Sequence, residues 1–80
     1  MKVRILGAGC SKCKALEQKV RLLDSTHHLN LEIEKVTNLQ EIMRYGILAT
    51  PGLVIDGVVK SAGSVPTDEK LLTWLKGTPL

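Results

Sequence analysis

Aromatic side chains are almost absent from this chain, which has one tryptophan, one tyrosine and no phenylalanine among its 80 residues. Proteins that bind single-stranded nucleic acids stack the bases on aromatic side chains, so no nucleic-acid partner is expected. Long hydrophobic runs are also missing, and a helix that spans a bilayer needs about 20 apolar residues. We therefore expect no contact with a membrane.

The N-terminus lacks the features of a secretion signal. Charged residues interrupt the apolar ones in residues 1–6, whereas a signal peptide has a continuous apolar region after its charges. We therefore predict a cytoplasmic protein. A chain of this length is expected to form a single domain over residues 1–80 with a modest core, and we expect it to be a monomer.

Cysteine is scarce as well, and the only two, Cys10 and Cys13, stand two residues apart behind Gly7 and Gly9. A short apolar run precedes this Cys-x-x-Cys motif and an amphipathic segment follows it. A strand, a tight turn and then a helix is the context of a redox-active dithiol. The start of a helix carries unpaired N–H groups and a partial positive charge. Both stabilise a thiolate and lower the pKa of the first cysteine.

The segment after the motif predicts a helix that Ser11 could cap and that runs to about Asp24 or Ser25. One apolar stripe with helical spacing contains Cys13, Leu16, Val20 and Leu23. Cys13 therefore begins the buried stripe, while Cys10 is expected at the exposed tip. This difference predicts that Cys10 attacks a substrate and that Cys13 resolves the intermediate.

Positive charge concentrates near the motif, although the net charge of the chain is only +3. The basic residues among the first 21 are Lys2, Arg4, Lys12, Lys14, Lys19 and Arg21. We favour their interpretation as a solvated helix face. The alternative is an electric field that favours a thiolate and an acidic partner surface.

The rest of the chain predicts three more strands and two more helices. The strands are residues 31–36, 51–55 and 58–63, and Asp56-Gly57 is a strong hairpin signal between the last two. A short helix with Asn38 as its cap and Gly46 at its end is expected to bury Leu39, Ile42 and Met43. A last helix opens at residues 66–69, buries Leu71, Leu72 and Leu75, and closes at Gly77 and Pro79.

The resulting order is β-α-β-α-β-β-α. The first two strands are expected to be parallel, since a right-handed crossover joins them, and the hairpin adds antiparallel strands. We therefore predict an α/β fold with a four-stranded mixed sheet and helices on both faces. Tyr45 and Trp74 are interpreted as packing residues, and His27 and His28 as exposed residues of a polar loop.

With these motifs the chain resembles the thioredoxin/glutaredoxin superfamily, and most of all its very small redox-active disulfide proteins of archaea and bacteria. The matching residues are Cys10-Ser11-Lys12-Cys13, Tyr45-Gly46-Ile47, Thr50-Pro51, residues 53–57 and Gly63. The chain departs from ordinary thioredoxins in having Ser-Lys rather than Gly-Pro between the cysteines. It also has Gly9 where they have an aromatic residue.

The resemblance implies a thioredoxin-like fold and a thiol–disulfide oxidoreductase that reduces protein disulfides through Cys10 and Cys13. Ser11 and Lys12 would complete the motif. Thr50 and Pro51 would bind substrate, with a cis bond between them that lies against the Cys10 sulfur. We expect no bound cofactor and no metal, and a separate reductase as the source of electrons.

A soft-metal site is the main alternative, because Cys-x-x-Cys after a first strand also opens small copper chaperones. Their order is β-α-β-β-α-β, which the late hairpin disfavours. A zinc finger requires a second histidine three to five residues after His27, whereas His28 is adjacent. Gly7-x-Gly9 lacks the third glycine of a dinucleotide-binding loop. Structurally inert cysteines remain a further possibility.

Overall fold

The computed structural model describes residues 1–7, 9 and 11–77. Within these residues the chain forms seven elements in the predicted order. The strands are β1 (Lys2–Leu6), β2 (Glu32–Val36), β3 (Gly52–Ile55) and β4 (Val58–Ala62), and the helices are α1 (Ser11–His27), α2 (Leu39–Arg44) and α3 (Asp68–Leu75). The predicted α/β fold class is confirmed, and the bounds of β2, β3 and β4 agree with the prediction to within one residue.

The sheet is mixed, with strand order β2-β1-β3-β4. β1 pairs parallel with β2 and antiparallel with β3, as predicted. The β3–β4 hairpin turns at Asp56 and Gly57, whose φ angles of 48° and 84° are both positive. A tight two-residue hairpin requires such angles, and the Asp-Gly signal therefore marks the hairpin correctly.

Apolar residues cover both faces of this sheet, because successive side chains of a strand point to opposite sides. α1 and α3 cover one face, where the buried residues are Val3, Ile5, Leu16, Val20, Leu53, Ile55, Leu71 and Leu75. α2 covers the other face, where the buried residues are Leu6, Val36, Ile42 and Val54. Trp74 packs against the first cluster and Tyr45 against the second, so the predicted packing roles are confirmed.

Both ends of α1 differ from the prediction. Ser11 is the first residue of the helix rather than its cap, and the helix continues to His27 instead of ending near Asp24. Ser25–His27 contain no glycine or proline to interrupt a helix, so the predicted loop there is wrong. The helix stops where His28 adopts a φ of 52°, and the Asp24 carboxylate accepts a hydrogen bond from Leu31 N at 3.0 Å.

The prediction for α2 is right about its ends and wrong about its apolar face. Asn38 Oδ1 accepts a hydrogen bond from Glu41 N at 3.1 Å, which caps the helix as expected. Ile42 is buried, whereas the Leu39 and Met43 side chains are exposed. In this helix of only six residues Ile42 alone packs into the core, while positions 39 and 43, one turn apart, stay exposed beside it.

α3 follows its prediction closely. Thr67 Oγ1 caps the helix by accepting a hydrogen bond from Lys70 N at 3.3 Å. Leu71 and Leu75 are buried, and Leu72 is half-buried. Over the described part of the chain, none of the helices has the length and apolar composition needed to cross a membrane.

Candidate active site

Cys13 lies on the inner side of the first turn of α1, which begins at Ser11. Its side chain is only 5% exposed, and it heads the buried stripe with Leu16 and Val20, as predicted. The stripe faces the sheet because spacings of three and four residues return to the same side of a helix. Cys10 falls outside the described residues, so its expected place at the exposed tip stays a prediction.

Gly7 is the point where the Cys13 side chain and the segment that leads into β3 come close to the end of β1. A Cβ atom at position 7 would lie 2.3 Å from Cys13 Sγ, 3.2 Å from Cys13 Cβ and 3.7 Å from Thr50 Cβ. The backbone of Gly7 is fixed by a 2.9 Å hydrogen bond from its N–H to Val36 O. Glycine is needed here for space, since any side chain would displace the Cys13 sulfur.

Gly7 and Gly9 both stand in the predicted tight turn before the motif, where glycine is expected for its backbone freedom. That role suits Gly9, whose φ is 82° with open space around it. At Gly7 the role is the close approach of a helix to the end of a strand. The signal was the position of this glycine, directly after β1 and six residues before an inward-facing cysteine.

Thr50 approaches the Gly7–Cys13 contact from the segment before β3. The Thr50–Pro51 peptide bond is cis in the structure, as the sequence predicts for the bond itself. Pro51 is fully buried and Thr50 is exposed. The predicted contact between this bond and the Cys10 sulfur lies outside the described residues. Instead, the structure brings Thr50 and Cys13 together beside Gly7.

The segment 47–51 before β3 is held by close contacts. Pro51 O accepts a hydrogen bond from Gly63 N at 2.8 Å. A Cβ atom at Gly63 would lie 3.0 Å from Ala49 Cβ, and one at Gly52 would lie 2.7 Å from Ile47 Cδ1. Gly63 and Gly52 thus let neighbouring backbone pack against the segment, which fixes the position of Thr50 beside the site.

The lysine and arginine residues of α1 divide into two groups. Lys19 Nζ lies 3.2 Å from Asp68 Oδ1, and Arg21 Nε lies 2.9 Å from Glu17 Oε2. These two charges are thus balanced away from the motif. Lys12 and Lys14 are exposed on the first turn of α1, next to the motif. Ser11 is exposed there as well, so the predicted motif residues 11 and 12 face solvent at the start of the helix.

Arg4 belongs to the opposite face of the sheet, where it contacts α2. Its guanidinium donates a hydrogen bond to the Tyr45 hydroxyl oxygen, and this bond raises the pKa of Arg4 above its ordinary value. Arg4 Nε also lies 3.6 Å from Glu34 Oε2. The concavity that these residues form, about 280 Å³ in volume, is lined by none of the predicted site residues.

The geometry of the described residues does not support the zinc-finger or the copper-chaperone interpretation. His27 and Cys13 lie in the same helix, fourteen residues apart, a separation of about 21 Å at 1.5 Å per residue. They therefore cannot share a zinc ion. The observed order β-α-β-α-β-β-α also differs from the β-α-β-β-α-β order of small copper chaperones. Within residues 1–7, 9 and 11–77, no three His, Cys, Asp or Glu side chains are grouped so that they could hold a metal ion.

Comparison with known proteins gives consistent matches along nearly the whole chain. A thioredoxin domain model matches residues 1–76. A protein named thioredoxin from Methanothermobacter thermautotrophicus is 35% identical over 71 residues, which are 89% of this chain and 92% of that protein. Another of the same name from Methanocaldococcus jannaschii is 34% identical over 74 residues, 92% of this chain and 85% of that protein.

Proposed function

Because the chain belongs to the thioredoxin domain family, we propose that it is a thiol–disulfide oxidoreductase that reduces protein disulfides through Cys10 and Cys13. The observation that carries this proposal is the setting of the Cys13 sulfur. It lies at the start of a helix, packed against Gly7, and the exposed Thr50 is beside the same glycine. A buried thiol at a solvent-facing helix start suits the second partner of a dithiol.

The reaction begins when the Cys10 thiolate attacks one sulfur of the substrate disulfide. A new S–S bond forms between Cys10 and the substrate, the substrate disulfide breaks, and one substrate sulfur leaves as a thiolate. The Cys13 thiolate then attacks the Cys10 sulfur and releases the second substrate thiolate. Two electrons have passed to the substrate, which takes protons from water, and the protein is left with a Cys10–Cys13 disulfide.

The low exposure of Cys13 supports the proposed order of these two steps. With only 5% of its surface accessible, the Cys13 side chain is out of reach of a disulfide within a folded substrate protein. It can be reached by a sulfur one helical turn away. Cys13 is therefore the resolving cysteine, and Cys10 is the attacking one.

Surroundings of the motif favour the thiolate and the approach of a substrate. The N–H groups at the start of α1 and the exposed Lys12 would supply positive charge that favours the Cys10 thiolate. Beside it, a substrate chain would lie along Thr50 as an added strand. The binding energy of that pairing would hold the disulfide in line for attack.

A separate reductase would return the Cys10–Cys13 disulfide to the dithiol. This partner would supply two electrons for each catalytic cycle, as the exchange reaction requires. The exposed Lys12 and Lys14 would favour an acidic surface on that partner through electrostatic attraction. The proposed monomeric state and cytoplasmic location accord with a small carrier of reducing equivalents.

Insulin reduction with dithiothreitol as the electron source tests the proposal. The wild-type protein is expected to accelerate the reaction, and Cys10→Ser is expected to leave only the uncatalysed rate. Cys13→Ser is expected to accumulate a mixed disulfide with the substrate, because the resolving thiol is missing, and mass spectrometry would map this adduct to Cys10. If Cys10→Ser still reduces insulin above background, the assignment is wrong.

A further inference from the structure

A concavity between β4 and α3 is formed by residues that the proposed reaction does not use. Its volume of about 370 Å³ is at the lower end of the range for small-molecule sites. We call it the β4–α3 concavity, and the residues that define it here are Lys60, Ser61, Ser64, Thr67, Lys70 and the half-buried Trp74. None of the described residues assigned to thiol–disulfide exchange lines it.

A β-bulge places two consecutive residues of β4 on this concavity. Leu53 pairs with Ser61 and Val54 with Val59, so Lys60 is an extra residue in the ladder. Consecutive side chains of a regular strand point to opposite faces of the sheet, whereas a bulge redirects the side chain of the extra residue. Lys60 and Ser61 therefore line the same concavity.

The β4–α3 concavity has positive charge that its own lining does not balance. Lys60 and Lys70 line it, and no aspartate or glutamate is among its described lining residues. Neither lysine forms an ion pair with a carboxylate in the described part of the chain. The concavity beside Arg4 differs, because Glu34 and Glu41 balance its arginines. An anion would therefore be attracted to the β4–α3 concavity.

The carboxylates of the surrounding elements do not neutralise the two lysines. Asp68 Oδ1, at the start of α3, lies 3.2 Å from Lys19 Nζ. Asp56 lines an adjoining concavity, where its Oδ1 accepts a 2.8 Å hydrogen bond from Lys2 N. Glu69 is exposed on α3 and is not among the described lining residues. Both lysine charges are thus available to a ligand.

Hydroxyl groups add hydrogen-bond donors beside the lysines. Thr67 Oγ1 accepts a hydrogen bond from Lys70 N at 3.3 Å, which leaves its own proton free to be donated. Ser61 Oγ is enclosed and has no hydrogen-bond partner in the described part of the chain, and an enclosed hydroxyl without a partner is unfavourable. A serine hydroxyl changes direction by rotation about a single bond, so a ligand oxygen placed against Ser61 would supply the missing partner.

This set of donors fits a phosphate ester better than a carboxylate. A phosphate monoester carries up to two negative charges at neutral pH and three oxygens that accept hydrogen bonds, which match two ammonium groups and several hydroxyls. Lysine binds phosphate as a point charge, whereas arginine is the usual planar partner of a carboxylate. A phosphate group alone would leave most of the concavity empty, and the indole ring of Trp74 offers an apolar surface to the organic part of a ligand.

From these observations we infer that the β4–α3 concavity binds a small organic phosphate monoester. The phosphate group lies between Lys60 and Lys70 and accepts hydrogen bonds from the hydroxyls of Ser61 and Thr67. The organic group packs against Trp74. This site is additional to the dithiol, and its ligand binding does not depend on the proposed thiol–disulfide exchange.

The fluorescence of Trp74, the only tryptophan of the chain, reports directly on this concavity. The probes are phenyl phosphate, phenyl sulfate and inorganic phosphate. Phenyl phosphate is expected to change the fluorescence in a saturable manner. Phenyl sulfate has one charge fewer, and inorganic phosphate has no group to pack against Trp74, so each is expected to bind about tenfold more weakly. No saturable change, or equal affinity for the three probes, overturns the inference.

Two double variants of equal net charge identify the lysines that bind the probe. K60Q/K70Q is expected to weaken phenyl phosphate binding by about tenfold or more. The matched control K12Q/K14Q removes two exposed lysines of α1 and is expected to keep the wild-type affinity. An equal loss in both variants would show a general effect of net charge and would contradict the inference. If K60Q/K70Q does not fold, Lys70→Gln alone is used, because Lys70 is exposed.

Two further titrations separate this inference from the proposed function and from a polypeptide ligand. Cys10→Ser lacks the proposed attacking thiol and is expected to bind phenyl phosphate as the wild-type protein does; a loss of binding would contradict a separate site. A short phosphoserine peptide, blocked at both ends, is expected to bind more weakly than phenyl phosphate. If the peptide binds as tightly, the ligand is a phosphorylated polypeptide and the inference is overturned.

Discussion

The two faces of the sheet differ in how completely their helices cover them. α1 and α3, with 17 and 8 residues, close one face over eight buried side chains. The six-residue α2 covers only four on the other face. Half-buried Leu23, Leu29 and Trp74 extend the first cluster, whereas apolar side chains at the second remain in water.

This difference concentrates the stabilising burial on one face of the sheet. The face below α1 and α3 buries most of the apolar surface, and the free energy of unfolding depends mainly on such burial. The α2 face contributes less to the free energy of unfolding, because Leu39 and Met43 remain exposed. These exposed apolar residues line a concavity together with Thr50.

Substitutions that leave a cavity measure how much each face of the sheet contributes to the free energy of unfolding. Leu16→Ala is expected to lower the free energy of unfolding by about 3 kcal/mol, since its fully buried site has no room to collapse. Ile42→Ala is expected to cost about 2 kcal/mol, because exposed neighbours can relax into the space. Urea unfolding of both variants, compared where the m-value is unchanged, checks that Leu16→Ala loses more stability than Ile42→Ala. A larger loss for Ile42→Ala would contradict the comparison.

Sequence patterns predicted the first face better than the second for a physical reason. The stripe from Cys13 to Val20 runs over a long helix, and its period identifies the buried side without ambiguity. α2 has fewer than two turns, so its apolar residues could not be divided into buried and exposed. The sequence shows that Leu39, Ile42 and Met43 are apolar, but only the packing in the structure shows that Ile42 is the buried one.

The close packing of backbone around Gly7 is the other feature that the sequence pattern did not predict. Gly7 shares its residue type with Gly9, and a sequence cannot distinguish a glycine that permits a positive φ from one that makes room. The Asp56-Gly57 hairpin and the cap at Asn38 were predictable because each depends on residues near in sequence. The contact of Gly7 and Cys13 with Thr50 depends on residues far apart in sequence, since Gly7 and Thr50 are separated by 43 positions.

Gly7→Ala tests this contact with a smaller expected effect on stability. The new Cβ would lie 2.3 Å from Cys13 Sγ, and such overpacking costs about 1 to 3 kcal/mol. Because Cys13 must move, insulin reduction is expected to fall and the reduction potential of the protein to change. Both are measured with purified protein, the potential by equilibration with glutathione.

Gly57→Ala is the control for Gly7→Ala. It is expected to cost about 1 to 2 kcal/mol, because alanine disfavours the φ of 84° at this position. There is open space where its Cβ would lie, and the hairpin turn is remote from the motif in the fold. Its reduction potential should equal that of the wild-type protein. Equal shifts in both variants would show that Gly7 has no particular effect on Cys13.

The smallest expected effect concerns Glu17, on the outer side of α1. A hydrogen bond from Arg21 outweighs the desolvation of the Glu17 carboxylate, and with the nearby Lys35 it holds the pKa of Glu17 below its ordinary value of 4.5. A lowered pKa stabilises the fold above pH 4.5, and this stabilisation is lost as the pH falls through the pKa of the folded state.

Glu17→Gln is therefore expected to lower the free energy of unfolding by about 0.5 kcal/mol at pH 7. The difference from the wild-type protein should close as the pH is lowered from 5 towards 3. Urea unfolding across this range checks the pH dependence, with the exposed Glu32→Gln as control. A difference that grows on acidification would contradict the assigned ion pairs.

The central claim, that Cys10 and Cys13 form a reversible dithiol, is tested most directly by a redox titration. The protein is equilibrated over a series of ratios of reduced to oxidised dithiothreitol, and free thiols are alkylated and counted by mass spectrometry. Zinc and copper(I) binding to the reduced protein is measured in parallel. The account predicts one two-electron transition, with the ratio of the two forms changing tenfold per about 30 mV. A Cys10–Cys13 disulfide that forms at no ratio, together with tight metal binding, would contradict it.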